Sequence, residues 1–393
     1  MGVSLGGRWG LMGQSAGGPS PVTVKESGNE TATSKPLSWG YSCMQGWRYR
    51  MEDAHFALES LDDKGWADTA AFGVMDGHGG REVAFFCAQF LPSEIARGSS
   101  ADVPTTLVRA FHRMDELLLQ SDQQDLLRSF TGDSRDGGSG PPLADPNRVG
   151  CTAVVCLVRP DVIIVGNAGD SRAVLSRRGL AVPLSEDHKP NLPGERERIR
   201  KAGGSIERQE FGPIVQYRVN GNLNLSRSIG DLNYKKNPSL QASEQTICST
   251  PDVSTFLRQD EDEFLLIACD GIWEILSSQD AVDFVNARLP KHLESGQPLS
   301  WILEDLLDHC LSPDLNATSG LGGDNMTAML VLLEKGVAAE AGRAEKQSRK
   351  EPIGGQPIRS LNCRSGDQDG IEDQAFGAAG FCSCGPTNSR QSM

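Results

Sequence analysis

Thr152-Ala-Val-Val-Cys-Leu-Val158 and Asp161-Val-Ile-Ile-Val165 are parted only by Arg159-Pro160. Each is a short apolar run bounded by Gly, Pro or Asp, the pattern of a buried strand. Thr69–Met75, Glu263–Cys269 and Met326–Leu333 read the same way. Strands set this close together outnumber what strand–helix alternation would give, so the pattern favours an α+β layered fold over a doubly wound sheet. Helical spacing lies between them, at Val83, Phe86, Phe90 and Leu91, and at Leu107, Val108, Phe111, Met114 and Leu118. Ser277 or Ser278 is placed to cap a helix carrying Val282, Val285 and Leu289. Ile302, Leu303, Leu306, Leu307 and Cys310 mark another, and Glu195–Ala202 stops at Gly203-Gly204.

The chain has 393 residues, with 38 Lys and Arg against 52 Asp and Glu, a formal net charge of -14. Such a surface repels nucleic acid and anionic membrane, so neither is an expected partner, and an anionic substrate would need a local metal or Arg. The 10 cysteines contain no C-x-x-C pair and no signal peptide is visible, so reduced thiols and a cytoplasmic or nuclear location are expected. The longest apolar runs, Val162–Val165 and Phe264–Cys269, are too short to span a bilayer. Met1-Gly2 suggests N-myristoylation at Gly2, but Gly6 stands where Ser or Thr is usual, so the signal is weak. Residues 1–36 and 335–393 are rich in small polar residues without periodicity and read as a disordered arm and a low-complexity tail. Ser134–Pro146 reads as a mobile insertion, more often an inert surface loop than a docking one. Residues 37–334 remain as one domain with a sizeable core.

Acids sit where the apolar runs finish or start. Thr69–Met75 runs into Asp76-Gly77-His78-Gly79-Gly80, Phe264–Cys269 runs into Asp270-Gly271, and Asp324-Asn325 opens Met326–Leu333. Were the last strand antiparallel to the one before Asp270, all three acids would gather at one edge of a sheet. Oxygen-only clusters suit hard cations, and the few His argue against zinc. Any one Asp-Gly is more often a plain turn, but the combination points to a divalent-metal site. In Gly46–His55, a strand would put Arg48, Arg50 and Glu52 on one face and Asp53 on the other. That face is either a solvated salt-bridge surface, the commoner outcome, or an anion clamp beside a metal ligand.

These stretches together resemble the metal-dependent protein phosphatases of type 2C. The matching pieces are Gly46-Trp-Arg-x-x-Met-Glu-Asp-Ala-His55, Val74-Met-Asp-Gly-His-Gly-Gly80, Gly150-Cys-Thr-Ala153, Asn167-Ala-Gly-Asp-Ser-Arg172, Val219-Asn-Gly-x-Leu-x-Leu-Ser-Arg-x-Ile-Gly-Asp231, Ala268-Cys-Asp-Gly-Ile-Trp273 and Gly323-Asp-Asn-Met326. They occur in the family's order across residues 37–333, and several motifs in order are far more specific than any one.

The resemblance implies a four-layer α/β/β/α sandwich, a central antiparallel β-sandwich flanked by helices, with a two-metal site at one end. It implies a protein serine/threonine phosphatase, expected to be a monomer, acting on phosphoserine and phosphothreonine proteins by attack of a metal-bridged water. The cations would be Mg²⁺ or Mn²⁺, two per site with a looser third. By resemblance Asp76 bridges both metals, Asp270 and Asp324 serve the first, and Glu52 with the carbonyl of Gly77 serves the second. Asp53 holds metal-bound waters, Asp170 serves the third cation with Asp270, Arg48 clamps phosphate and His78 protonates the leaving alkoxide. Asn325 is expected to hydrogen-bond near a first-metal ligand, and Glu274 stands where the family often has Asp. Glu186–Tyr217 corresponds to the family's flap. Gly-Asp-Ser-Arg occurs at Gly132–Arg135 and at Gly169–Arg172, and only the second follows a buried strand. Cys151 and Cys269 read as packing residues. The rival reading is a pseudophosphatase, the same fold used as a binding module, which would be expected to lack the metal-site acids.

Overall fold

The computed structural model describes residues 20–62, 65–130, 145, 147–211 and 214–333. Its strands, in chain order, are β1 (Val22–Thr31), β2 (Leu37–Gly46), β3 (Ala54–Leu58), β4 (Ala70–Met75), β5 (Gly77–His78), β6 (Gly150–Cys151), β7 (Ala153–Val158), β8 (Val162–Ala168), β9 (Arg172–Arg177), β10 (Leu180–Pro183), β11 (Ile206–Phe211), β12 (Ile214–Val219), β13 (Ile229–Gly230), β14 (Asp252–Leu257), β15 (Asp262–Ala268) and β16 (Met326–Leu333). The helices are α1 (Glu82–Ala96), α2 (Val103–Leu118), α3 (Gln124–Ser129), α4 (Pro193–Lys201), α5 (Asp270–Trp273), α6 (Ser278–Asn286), α7 (Leu289–Ser295) and α8 (Leu299–Cys310).

Two antiparallel sheets lie face to face, one ordered β1-β2-β16-β15-β9-β10 and the other β14-β8-β7-β4-β3. The strand period explains why their central strands are apolar throughout. In β15, Leu265 and Ile267 point between the sheets, where they join Trp39, Phe72, Val154 and Met329. Phe264, Leu266 and Ala268 point outward, against Val282 of α6 and Ile302 and Leu306 of α8. In β7, Val154 and Cys156 face inward while Val155 and Leu157 pack under Phe86, Leu107 and Phe111 of α1 and α2. Each fully buried aliphatic or aromatic side chain contributes roughly 1.5–3 kcal/mol. The result is four layers, helix on sheet on sheet on helix, as the resemblance implied.

Two expectations change. Residues 1–36 are not one disordered arm, because β1 pairs with β2 from Val22 to Thr31. An edge strand needs no apolar run: β1 exposes Val22 and Val24 and is held by its backbone ladder and polar ties. Asn29 bonds both the hydroxyl and the backbone N–H of Ser300 in α8, and Lys25 pairs with Asp308. Residues 1–19, the tail from 334, and all of the insertion but Asp145 lie outside the described residues, as does the Gly132–Arg135 repeat. The second change is that Arg48–Glu52 do not form a strand. β2 ends at Gly46, and residues 47–53 turn across the end of the sandwich before β3 begins.

Candidate metal centre

β15 and β16 are antiparallel neighbours, with Ala268 opposite Ala328, so Asp270 and Asp324 leave the six-stranded sheet at one end. Asp76 follows β4, which belongs to the other sheet. The acids therefore meet at one end of the sandwich, contributed by both sheets rather than by a single sheet edge. Their backbone is pinned from beneath. Thr152 accepts the Asp76 N–H at its hydroxyl (3.2 Å), donates its own N–H to the Asp76 carbonyl (2.9 Å), and its hydroxyl meets Ser171 at 2.7 Å, tying Asp76 to the Asp170 loop. A side chain at Gly77 would meet the Glu52 carbonyl at 2.2 Å, so only glycine lets these two backbones touch.

Asn325 organises the segment that strand parity could not place. Its Oδ1 accepts the Glu52 N–H (2.9 Å), and its Nδ2 donates to the carbonyls of Gln45 (2.8 Å) and Arg50 (3.0 Å). The loop thus wraps around one buried amide, and Glu52 and Asp53 both turn toward the acids. Asp53 is buried, donated to by Thr327 (2.8 Å), and its Oδ1 has no protein partner. Ligand atoms of Asp53, Asp76 and Cys269 lie within 4.8 Å of one another. Cys269 is a buried core residue whose sulfur accepts the Thr327 N–H, in keeping with a packing role.

So many acids at one place cannot all stay ionised unaided. Burial and the charges of Asp270, Asp53, Asp324 and Asp170 hold Asp76 well above the ordinary carboxylate range. Burial, Glu274, Asp170 and Asp324 do the same to Asp270, and burial lifts Asp53 to about 7. Glu52 is raised by burial and by Glu82, against the pull of Arg48 and His78. Arg48 pairs with Asp324 and is a cation among these acids; their charges outweigh burial and raise its pKa. A buried orphan carboxylate oxygen and an all-oxygen set of repelling acids fit a hard divalent cation.

Asp170 is 2% exposed and ion-paired to Lys189, which also faces Asp270. Arg172, two residues on, grips Asp187 with two donors (2.9 and 2.8 Å), bonds Ser278 and lies over the Trp273 ring. His188 between them accepts the Gly169 N–H at Nδ1 and donates Nε2–H to Asp252 (3.1 Å). These three neighbours root the flap, whose α4 is held by Glu195 against Arg227 and whose β11–β12 hairpin packs on a small separate cluster around Ile199, Val219 and Ile247. Glu274 reaches the acids despite its longer arm: crowding by protein and the charges of Asp324 and Asp170 push it to about 7, though its exposed side chain lets water moderate the effect.

His78 lies beside the acids, with Nε2 2.6 Å from Asp231 Oδ2. Burial alone would lower its pKa, but Asp231 raises it above the usual histidine value. Sequence reasoning did not single out three of these residues. Asp231 closes a recognised motif without an assigned part, Lys189 sits inside the flap segment, and Glu82 opens α1. Glu82 is 5% exposed with its Oε2 unpartnered, and no periodicity or spacing signals it.

Residues 38–317 match the family model described as Protein phosphatase 2C. The chain is 40% identical over 372 residues to "Probable protein phosphatase 2C 11" of Oryza sativa subsp. japonica, covering 87% of this chain and 95% of that one. It is 41% identical over 345 residues to "Probable protein phosphatase 2C 21" of Arabidopsis thaliana, covering 80% and 92%. Among solved structures, a phosphatase from a pathogenic strain of Toxoplasma gondii is similar in fold, with TM-score 0.59 and 24% identity over 79% of this chain and 96% of that one.

Proposed function

The chain belongs to the protein phosphatase 2C family, and from that premise we infer that it hydrolyses phosphoserine and phosphothreonine in protein substrates by a metal-dependent reaction. One observation carries the inference: five acids, Glu52, Asp76, Asp170, Asp270 and Asp324, converge from both sheets, with Arg48 and His78 beside them. The retained acids also favour an enzyme over a silent binding module of the same fold.

Asp76, at the centre of the mutual repulsion, would help to hold both of two Mg²⁺ or Mn²⁺ ions. Asp270 and Asp324 would hold one, Glu52 and the Gly77 carbonyl the other, with Asp53 gripping their waters and Asp170 serving a looser third. When bound, such a pair neutralises phosphate charge and lowers the pKa of a water to the neutral range. The protein's own groups do the remaining work. Arg48, oriented by Asp324, keeps further donors for phosphate oxygens, whose bidentate geometry suits guanidinium. His78 gives a proton to the leaving serine or threonine oxygen, a poor leaving group without one. The flap, rooted through Arg172, His188 and Lys189, starts beside the acids and is placed to contact the peptide around the phosphate.

Phosphate release from a phosphothreonine peptide, with Mn²⁺ or EDTA, for wild type and Asp270→Asn, tests the reading. Activity that requires the metal and drops at least about 10³-fold in the variant is expected. A folded wild type that binds Mn²⁺ yet releases nothing from several phosphopeptides would move the assignment to a binding module.

A further inference from the structure

A three-stranded sheet stands apart from the sandwich, with β6 between β5 and β13. In its register His78 lies opposite Gly150, and Gly150 opposite Gly230. The residue after Gly230 is Asp231, so this small sheet delivers Asp231 to the side of His78. Gly150 leaves the space for them to meet: a side chain there would sit 2.3 Å from Asp231 Oδ2 and 2.7 Å from His78 Nε2.

Asp231 is held for this contact at some conformational cost. It adopts a left-handed backbone (φ 50°), which few non-glycine residues take without compensation. Its N–H bonds the Val149 carbonyl at 2.9 Å, and the Ser228 hydroxyl donates to Oδ2 at 2.6 Å. The segment is braced again by Asp115 of α2, which accepts the Gly230 N–H (2.8 Å) and the Lys235 ammonium (2.6 Å). Asp231 is 2% exposed, too deep to touch a protein substrate, while the His78 side chain is 23% exposed.

We propose that Asp231 is the positioning residue of the general acid: it takes the Nε2–H of His78 and so commits Nδ1 as the nitrogen that serves the leaving group. No partner holds Nδ1 among the described residues. As the bond from phosphorus to the serine or threonine oxygen breaks, its electron pair stays on that oxygen, the Nδ1 proton passes to it, and a water oxygen takes its place on phosphorus. Asp231 keeps its hydrogen bond throughout and exchanges no proton. A carboxylate behind an imidazole fixes both ring orientation and tautomer, as in hydrolytic triads of unrelated folds. This inference rests on the phosphatase reading above and adds a residue to it.

The test compares leaving groups. A phosphothreonine peptide needs the proton, whereas p-nitrophenyl phosphate leaves without one. For Asp231→Asn, the ratio of kcat on the peptide to kcat on the aryl ester is expected to fall about 30-fold or more, part of the roughly 10²–10⁴-fold that general acid catalysis supplies. In a His78→Ala background the same substitution should change that ratio no further. Calorimetric Mn²⁺ binding shows whether the variant has kept its fold. If it has not, Ser228→Ala decides, with an expected ratio loss of about threefold to tenfold from one lost hydrogen bond. Equal losses on both substrates, or a full further loss in the His78→Ala background, would overturn the proposal. Wild type inactive on both esters would instead sink the phosphatase reading on which it stands.

Discussion

Lys189→Met isolates one ion pair whose worth depends on a metal. Asp170 is 2% exposed and Lys189 is its direct counter-ion, but the lysine side chain is 35% exposed. Removing one partner of a fully buried pair costs roughly 3–5 kcal/mol, because the remaining charge is left uncompensated. Solvent at the lysine end screens part of that, which brings the expected loss to about 2 kcal/mol. For a domain of this size that lowers Tm by about 4 °C. The assay is thermal unfolding followed by circular dichroism, for wild type, Lys189→Met and Lys189→Arg, in EDTA and in saturating Mn²⁺. In EDTA the Met variant should melt lower and the Arg variant near wild type. On the metal assignment proposed above, a cation at Asp170 would replace the missing charge, and a ligand at 100 times its Kd returns about 2.7 kcal/mol. The gap should therefore close in Mn²⁺. A Met variant as stable as wild type in EDTA, or a gap of the same size with and without Mn²⁺, would refute the reasoning.

Two further expectations concern the same centre. In the metal-free protein, Asp53 raised to about 7, with Asp76 and Asp270 also held well above the ordinary carboxylate range, means that the folded chain keeps protons which the unfolded chain releases from about pH 4, so stability falls as pH rises through this range. His78, also raised, has the same sign, whereas buried His55, lowered to about 4, favours folding as pH rises to 6.5 and adds no slope above it. Tm in EDTA should therefore drop from pH 6.5 to 8 and stay level in Mn²⁺; scanning calorimetry showing a flat EDTA profile would contradict this. Asn325→Ala removes three hydrogen bonds that hold residues 45–52, about 1 kcal/mol each, and should lower stability by about 2–3 kcal/mol while weakening Mn²⁺ binding by calorimetry; unchanged Mn²⁺ affinity would count against the loop's role.

How much could be read from the chain depended on whether a residue's role follows from its own neighbours in sequence. Strands β4, β7, β15 and β16 are buried on both faces, so each is a continuous apolar run that ends at a turn, and their place was legible. Acids at those ends inherited that legibility, because antiparallel pairing fixes where Asp270 and Asp324 emerge. β1 was illegible for the opposite reason: an edge strand with one partner and a polar surface carries no apolar signature. Residues 47–53 misled, since a two-residue period presumes a strand, and here a single side chain, Asn325, overrides it from nearly 280 residues away. Asp231 was illegible in a third way. Its function is set by the register of β5, β6 and β13, each two residues long and without any hydrophobic pattern.

The acids also explain why the site is stitched so heavily from beneath. Asp76 and Asp270 oppose folding at neutral pH, so the geometry that brings them together has to be imposed by bonds that do not involve their carboxylates. Thr152, Ser171, Asn325 and Thr327 supply those bonds from the backbone side. Arg48 and Lys189 supply permanent positive charge through ion pairs with Asp324 and Asp170, and Lys189 does so from the root of the flap. On the metal assignment proposed above, a cation at Asp170 would release that lysine, so occupancy of that position and the anchoring of the flap would be set by the same carboxylate. Substrate contacts along the flap should then depend on metal concentration more steeply than does binding at Asp76, a difference that a titration of KM against Mn²⁺ would read directly.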